Sequence, residues 1–273
     1  MTVDPLQEEP EASPPSRKSG KRLNIVLQCA VKGDAARLLE CFSKEDDPYH
    51  DRVEGQLNSR DDQGRSAVEI ACTEGHLEML KLLLEKGSDP NMRNPNTGKT
   101  ALDMACILDR EDMVKELLEK GAEGDAATNR GYTALHHAAA WGKLSCIKLL
   151  IQFGSNLQVR TSHGERPRET ALRYQHEKCA SYLDWSEARR SLLAVIREIK
   201  ENVEDVQKIQ GRLTKDERMT ALNACIEKQE WLDNGGENLN VEDFNKQKQT
   251  LSDILEPILI KMSEPPPEKP HRR

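Results

Sequence analysis

The sequence predicts an all-α protein: a solenoid of short helix pairs followed by a small helical bundle. Three observations carry that prediction. A glycine recurs as Gly64, Gly98, Gly131 and Gly164, at separations of 34, 33 and 33 residues, the mark of a repeat array. Aromatic residues make up only 4% of the 273, too few for one large aromatic core, whereas Leu, Ala and Ile suit helix-on-helix packing. Past Trp185 the period stops and longer amphipathic stripes begin.

Within each repeat the elements follow in order. Two residues after the first three glycines stand Ser66-Ala67-Val68, Thr100-Ala101-Leu102 and Thr133-Ala134-Leu135, whose hydroxyls can cap a first short helix. Gly75 and Gly142 occupy the turn to a second helix. Asp109 takes that place in the middle copy, and Asp tolerates left-handed backbone better than most residues. Sixteen residues beyond the Ala comes Leu83-Leu84, Leu117-Leu118 or Leu150-Ile151, and twenty beyond it Gly87, Gly121 or Gly154. The apolar pair buries the second helix, and the glycine supplies its left-handed end. A fourth copy is expected at Thr170-Ala171-Leu172, four residues late, after an inserted stretch around Glu165–Arg168. Upstream, Ile25–Phe42 imitates the same helix pair, with Cys29-Ala30 and Gly33-Asp34 at the matching offsets. A longer insertion, Ser43–Arg60 with acidic Glu45-Asp46-Asp47, then delays the next copy.

At these residues the chain resembles the ankyrin repeat, most fully from Asp61 through Gly75-His76-Leu77 to Gly87-Ser88-Asp89. The departures are mild: Ala replaces the family's Pro after Thr, and Asp109 replaces a turn glycine. The resemblance implies an ankyrin-repeat solenoid over 23–185, built of a capping unit 23–60, repeats near 61–94, 95–127 and 128–160, and a closing unit 161–185. Segments 1–22 and 263–273 are Pro-rich and charged and are expected to be disordered tails.

Ankyrin solenoids bind partners through hairpin tips and the exposed side of the first helices. The register puts Arg65, Asn96, Lys99, Arg130 and Tyr132 at the tips. It puts Ile70, Met104 and His137, then Glu74, Leu108 and Trp141, on the first helices. The candidate partner-binding residues are therefore Arg65, Lys99, Met104, Leu108, Arg130, Tyr132, His137 and Trp141. A Trp and a Tyr flanked by Arg have the composition of an interaction hot spot. The alternative is structural: Met104 and Leu108 thicken the stack and Trp141 covers a neighbouring helix. Ile70 is expected in the core. His136 matches the His of the family's Thr-Pro-Leu-His motif, which implies a turn-stabilising role. Neighbouring His136 and His137 point about 100° apart on a helix, so the pair does not suggest a metal site.

The C-terminal region, 186–262, reads as three helices. Leu192, Ile196, Ile199, Val203 and Val206 form one stripe. Thr214 and Glu217 make a capping-box pattern ahead of Met219, Leu222 and Ile226, and Asp233-Asn234-Gly235-Gly236 stops that helix. Asn240 can cap a third carrying Phe244, Leu251, Leu255, Ile258 and Met262. Pro257 inside it is expected to kink it or leave a carbonyl unpaired. Lys208-Ile209-Gln210-Gly211-Arg212-Leu213, Trp231-Leu232-Asp233-Asn234, Glu242-Asp243-Phe244 and Glu256-Pro257-Ile258 resemble the helical lid of the seventy-kilodalton heat-shock chaperones. That family's peptide-binding sandwich and ATPase have no counterpart in the sequence. The resemblance implies only a helical module for protein contact or self-association.

The chemistry classes narrow quickly. Net charge is -7, shared as 0 over 1–22, -5 over 23–185 and -2 over 186–273, so nothing supplies the basic excess that nucleic acid requires. Phosphate-binding, nucleophile-elbow and zinc-protease motifs are absent from the sequence, and no enzyme, cofactor or metal is expected. The seven cysteines never form C-x-x-C and read as buried thiols in a reducing cytosol. No apolar run approaches a membrane span, and residues 1–20 lack a signal peptide's apolar core, so neither a membrane nor a secreted protein is expected. The reading that results is a cytoplasmic, non-enzymatic adaptor for protein partners, of open oligomeric state. A regulator of the chaperone system and an adaptor on cytoskeletal components of ciliated or dividing cells are the alternatives. Arg17-Lys18 and Lys21-Arg22 read either as a nuclear address or as a solvated hinge.

Overall fold

A computed structural model describes residues 24–205, 212–235 and 239–263. Its contacts divide the chain into two compact units after Asp89. Thirteen helices, and no strand, occur among the described residues. The segments expected to be disordered, 1–22 and 263–273, lie outside the described residues apart from Ser263, as do Val206, Lys208–Gly211 and Gly236.

The first unit holds α1 (Ile25–Lys32), α2 (Ala35–Ser43), α3 (His50–Gln56), α4 (Ala67–Glu74) and α5 (Leu77–Glu85). Asn24 and Asp34 cap α1 and α2, accepting from the Leu27 and Arg37 amides at 2.8 and 2.9 Å. Val26, Leu38, Cys41, Ile70, Met79, Leu80 and Leu83 are fully buried between the helices. The acidic insertion contains a helix that charge patterning hides. Val53 and Leu57 bury themselves from α3 and its end, and Asp47 accepts from the Arg37 guanidinium at 2.5 Å and the Tyr49 amide at 2.9 Å.

The second unit holds α6 (Ala101–Ile107), α7 (Glu111–Glu119), α8 (Ala134–Ala140), α9 (Leu144–Gln152), α10 (Pro167–Arg173), α11 (Glu177–Glu204), α12 (Lys215–Gly235) and α13 (Val241–Ser263). Each first helix follows a hairpin-like loop. Its closing bond runs from Asn94 N–H to Lys99 O at 2.8 Å, Thr128 to Tyr132 at 2.7 Å, and Thr161 to Glu165 at 2.9 Å. At two loop glycines neither conformation nor space allows a side chain. Gly98 and Gly131 have φ of +74° and +79°, and a Cβ there would stand 2.6 Å from Asn129 N and 2.9 Å from Ser162 N in the next loop. Asp109 does adopt the left-handed turn, at φ +60°, and Gln175 does so two repeats later at +62°, with Gly142 between them.

Two expectations are corrected. The fourth copy is not late: Arg166 stands two residues after Gly164, as Thr133 does after Gly131, and begins α10 with Pro167 in the first helical position. Its amide and guanidinium both donate to Glu169, at 2.7 and 3.0 Å. Thr170-Ala171-Leu172 thus falls mid-helix, with Ala171 buried where Ala138 is buried and Leu172 exposed. In α12 only Leu222 of the expected stripe Met219, Leu222 and Ile226 packs against the core; Met219 and Ile226 face outward, both nearly half exposed, while Ala221, Ala224, Cys225 and Leu232 are buried.

α11 runs 28 residues without a break, across the junction expected at 185/186. The position that holds Gly121 and Gly154 in the preceding repeats is Glu187 here, so the left-handed stop is missing and the helix continues. Its stripe Leu192, Ile196, Ile199 and Val203 is buried with Phe244, Leu251, Leu255 and Ile258 of α13. The expected caps form: Thr214 N–H donates to Glu217 at 2.9 Å, and Asp243 N–H to Asn240 at 2.9 Å. α13 is continuous through Pro257. Pro257 and Asp253 are both exposed, so water can take the carbonyl bond that the proline cannot donate to.

Candidate functional site

In α6, α8 and α10 the third residue of the helix accepts from the backbone amide that precedes it. His136 Nδ1 accepts from the Thr133 amide at 3.2 Å and lies 2.9 Å from the Thr133 hydroxyl, while Nε2 lies 3.1 Å from Glu165 O in the next loop. Those roles require the neutral ring with its proton on Nε2. Burial keeps it neutral by pushing its pKa down to about 4. This is the turn-stabilising role that the resemblance implies. One repeat earlier Asp103 repeats half of it: Oδ2 accepts from the Thr100 amide at 2.7 Å, but buried Oδ1 has no partner among the described residues. Burial raises that carboxyl to about 7.

Two sequence-predicted contact residues belong to this interior. Tyr132 is 2% exposed and His137 3%, so neither presents itself to a partner. The Tyr132 ring stacks on His137 at 5.7 Å and meets His136 edge-on at 5.8 Å. Its hydroxyl accepts from Arg173 of the next repeat at 3.1 Å, which draws the ring inward. Neither nitrogen of His137 has a hydrogen-bond partner among the described residues. Burial, then the Lys99 charge, lower its pKa to about 3. Ile70 is core, as expected.

The other candidates reach the surface. In the first unit Arg65 is half-buried and its guanidinium donates to Asp61 at 2.8 Å. In the second unit Lys99 is half-buried and Arg130 exposed at the loops. Met104, Leu108 and Trp141 are half-buried, and the Trp141 indole N–H has no partner among the described residues. Leu108 and Trp141 close α6 and α8 from equivalent positions. Tyr174 closes α10 in the same way and is also half-buried. Three successive repeats therefore place Leu, Trp and Tyr side chains at one position of the first helix. Tyr174 is absent from the sequence-derived set because a fourth copy set four residues late hides its equivalence. The period counted from Gly164 finds it.

The model for ankyrin repeats in three copies matches residues 26–128 and 123–189. The chain belongs to the ankyrin-repeat family. Such repeats imply protein partners. Among curated relatives it is similar to ankyrin repeat domain-containing protein 45 of Homo sapiens, at 31% identity over 94% of this chain and 81% of that protein. The Mus musculus counterpart is 32% identical over 95% of this chain and 90% of its own length. The Danio rerio counterpart is 37% identical over 51% of this chain and 62% of that protein. The ankyrin matches end at 189, part-way along α11, while the similarity to the mammalian relatives extends over most of the chain. Among the described residues no three His, Cys, Asp or Glu side chains are grouped to hold a metal, and no helix is long and apolar enough to cross a membrane.

Proposed function

We propose that this ankyrin-repeat protein is a non-enzymatic adaptor. It grips a protein partner on the first-helix side of its second unit, and its mechanism is colocalisation without chemistry of its own. The observation that carries this reading is the row Leu108, Trp141 and Tyr174, part-exposed at equivalent places in three repeats. Half-exposed aromatics beside Met104, with Lys99 and Arg130 at the loops, match the make-up of binding hot spots, where Trp, Tyr and Arg dominate. Repeat arrays offer such surfaces because each unit adds one equivalent position. Seven free and buried thiols support a reducing compartment, and we place the protein in the cytoplasm.

The test is affinity purification from cytosolic extract with the full chain, set against the full chain carrying Leu108→Ala and Trp141→Ala. Partners held by this face disappear while circular dichroism stays unchanged. An identical partner set from a folded double variant overturns the proposal. Chaperones or cytoskeletal proteins that persist on the double variant move the contact to the C-terminal helices.

A further inference from the structure

The second helices of the same unit carry a different surface. α9 and the first turns of α11 border a groove formed of two adjoining cavities, of about 480 and 490 Å³, that share Lys148, Tyr182 and Trp185. Its wall is aromatic. Tyr182 and Trp185 stack with ring centroids 5.5 Å apart at 19°, and the Lys148 ammonium lies 5.2 Å over the Tyr182 ring. Its rim is cationic, with Lys178 on one flank and Arg189 and Arg190 on the other, against Glu177 alone.

The cations differ in how they are occupied. Arg190 donates to Ser155 O at 2.6 Å and Ile151 O at 2.9 Å, closing the C-terminal end of α9. Lys178 and Arg189 enter no ion pair among the described residues. Two more donors at the wall, Trp185 Nε1 and the Oγ of Ser186, are buried without a hydrogen-bond partner among the described residues. In a chain of net charge -7, this is a local reversal of sign around an aromatic face.

We propose that this groove binds an acidic peptide segment of a partner protein. An apolar side chain of the peptide rests against Tyr182 and Trp185, and its carboxylates meet Lys178 and Arg189. Charge complementarity selects the occupant, since a chain of net negative charge repels polyanions overall and a cationic patch attracts them locally. A single-stranded nucleic acid would also offer stacking and anionic charge. Its long phosphate backbone would extend past the patch over the acidic remainder, whereas a short peptide fits within it. The site lies on the second helices and is independent of the first-helix face proposed above.

The experiment is fluorescence anisotropy with the full chain and a short fluorescein-labelled peptide of alternating Glu and Leu. Its Gln-for-Glu counterpart and an oligothymidylate serve as competing probes. The Glu peptide is expected to bind and to weaken with salt, with the Gln peptide about tenfold weaker or worse. Lys178→Glu with Arg189→Glu should weaken the Glu peptide about tenfold or more, while Lys215→Glu on α12 leaves it unchanged. Lys178→Gln with Arg189→Gln gives the same direction if the reversed pair fails to fold. No binding of the Glu peptide, equal binding of the Gln peptide, indifference to both substitution pairs, or tighter binding of the oligothymidylate overturns the proposal.

Discussion

Replacing Asp103 with Asn alters one atom beneath a repeat loop and should change how the whole protein responds to pH. Asp103 Oδ2 accepts from the Thr100 amide at 2.7 Å and the Thr100 hydroxyl at 3.1 Å, while Oδ1 is buried and unpartnered. An amide oxygen keeps the accepting role and an amide nitrogen carries no charge. Burial raises the carboxyl from 3.8 to about 7 despite the Thr100 bonds and the Lys99 and Arg93 charges. The folded chain therefore holds a proton between those values that the unfolded chain has released, and stability falls as pH rises through that window. Keeping the proton across that interval costs on the order of 4 kcal/mol of stability by the time the pH exceeds 7. Asn should recover part of that, roughly 2 kcal/mol at about pH 8.

The buried histidines act with the opposite sign. His136 and His137 fall from 6.5 to about 4 and about 3, so they stay neutral when folded and charge when unfolded. Stability that they supply is present above 6.5 and is lost as pH falls. From about 4 to about 6.5 the unfolded chain gains two histidine protons and lacks the one on Asp103, a net slope of about +1.4 kcal/mol per pH unit. Of these three groups only Asp103 differs between the two states above that pH, and their combined slope reverses. The natural chain should thus be most stable near pH 6.5, whereas Asp103→Asn should climb about twice as steeply and then level off. Urea unfolding followed by circular dichroism at about pH 5, 6.5 and 8 reads both profiles. Parallel profiles, or an Asn variant less stable at alkaline pH, would refute the reasoning.

Three further outcomes are expected. Tyr132→Phe removes the acceptor for Arg173 and should cost about 1 kcal/mol, while Tyr132→Ala should cost about 3–5 kcal/mol; thermal melts report both, and neither should act through a partner contact. Gly98→Ala meets both the positive φ and the Asn129 backbone, so destabilisation beyond about 1 kcal/mol is expected in the same melts. Glu187→Gly restores the glycine that ends α7 and α9. It should cost about 1 kcal/mol of helix propensity and raise amide exchange around residues 186–190, whereas unchanged exchange would mean that glycine does not set where these helices end.

Much of this architecture is readable because the repeat depends on glycines that no other residue replaces cheaply. Gly98 and Gly131 need both a positive φ and an absent Cβ, so their spacing exposes the period directly. What misleads is local imitation. Thr170-Ala171-Leu172 copies the start of a repeat, yet the loop closed by Thr161 and Glu165 puts the helix start at Arg166, and Tyr174 is hidden by that shift. Tyr132 misleads for another reason: a loop residue is exposed by default, and its contacts with His136, His137 and Arg173, the last distant in sequence, enclose it. The α12 face is hard to see because the buried Ala221, Ala224 and Cys225 carry little hydrophobic signal. Helix α3 is masked by its charges, since two buried residues, Val53 and Leu57, do not make a stripe.

The distribution of the few aromatic rings follows from the same logic. Within the repeats Leu and Ala at fixed offsets fill most of the interior, and Tyr132 is the one buried aromatic ring there among the described residues. Where α11 passes from the last repeat into the bundle, the surfaces no longer match by repetition and the seam is irregular. Here Tyr182, Trp185, Phe244 and Trp231 form one chain of contacts, with Trp185 and Trp231 each edge-on to Phe244 at 5.7 and 5.6 Å. Offset and edge-on rings add specific attraction to a large buried area, which suits a junction that must be made once. Phe244 is buried at the centre, while Tyr182 and Trp185 remain half-exposed and line the groove. The packing that joins bundle to repeat thereby leaves an aromatic face open at the boundary, and the bundle holds that face in place.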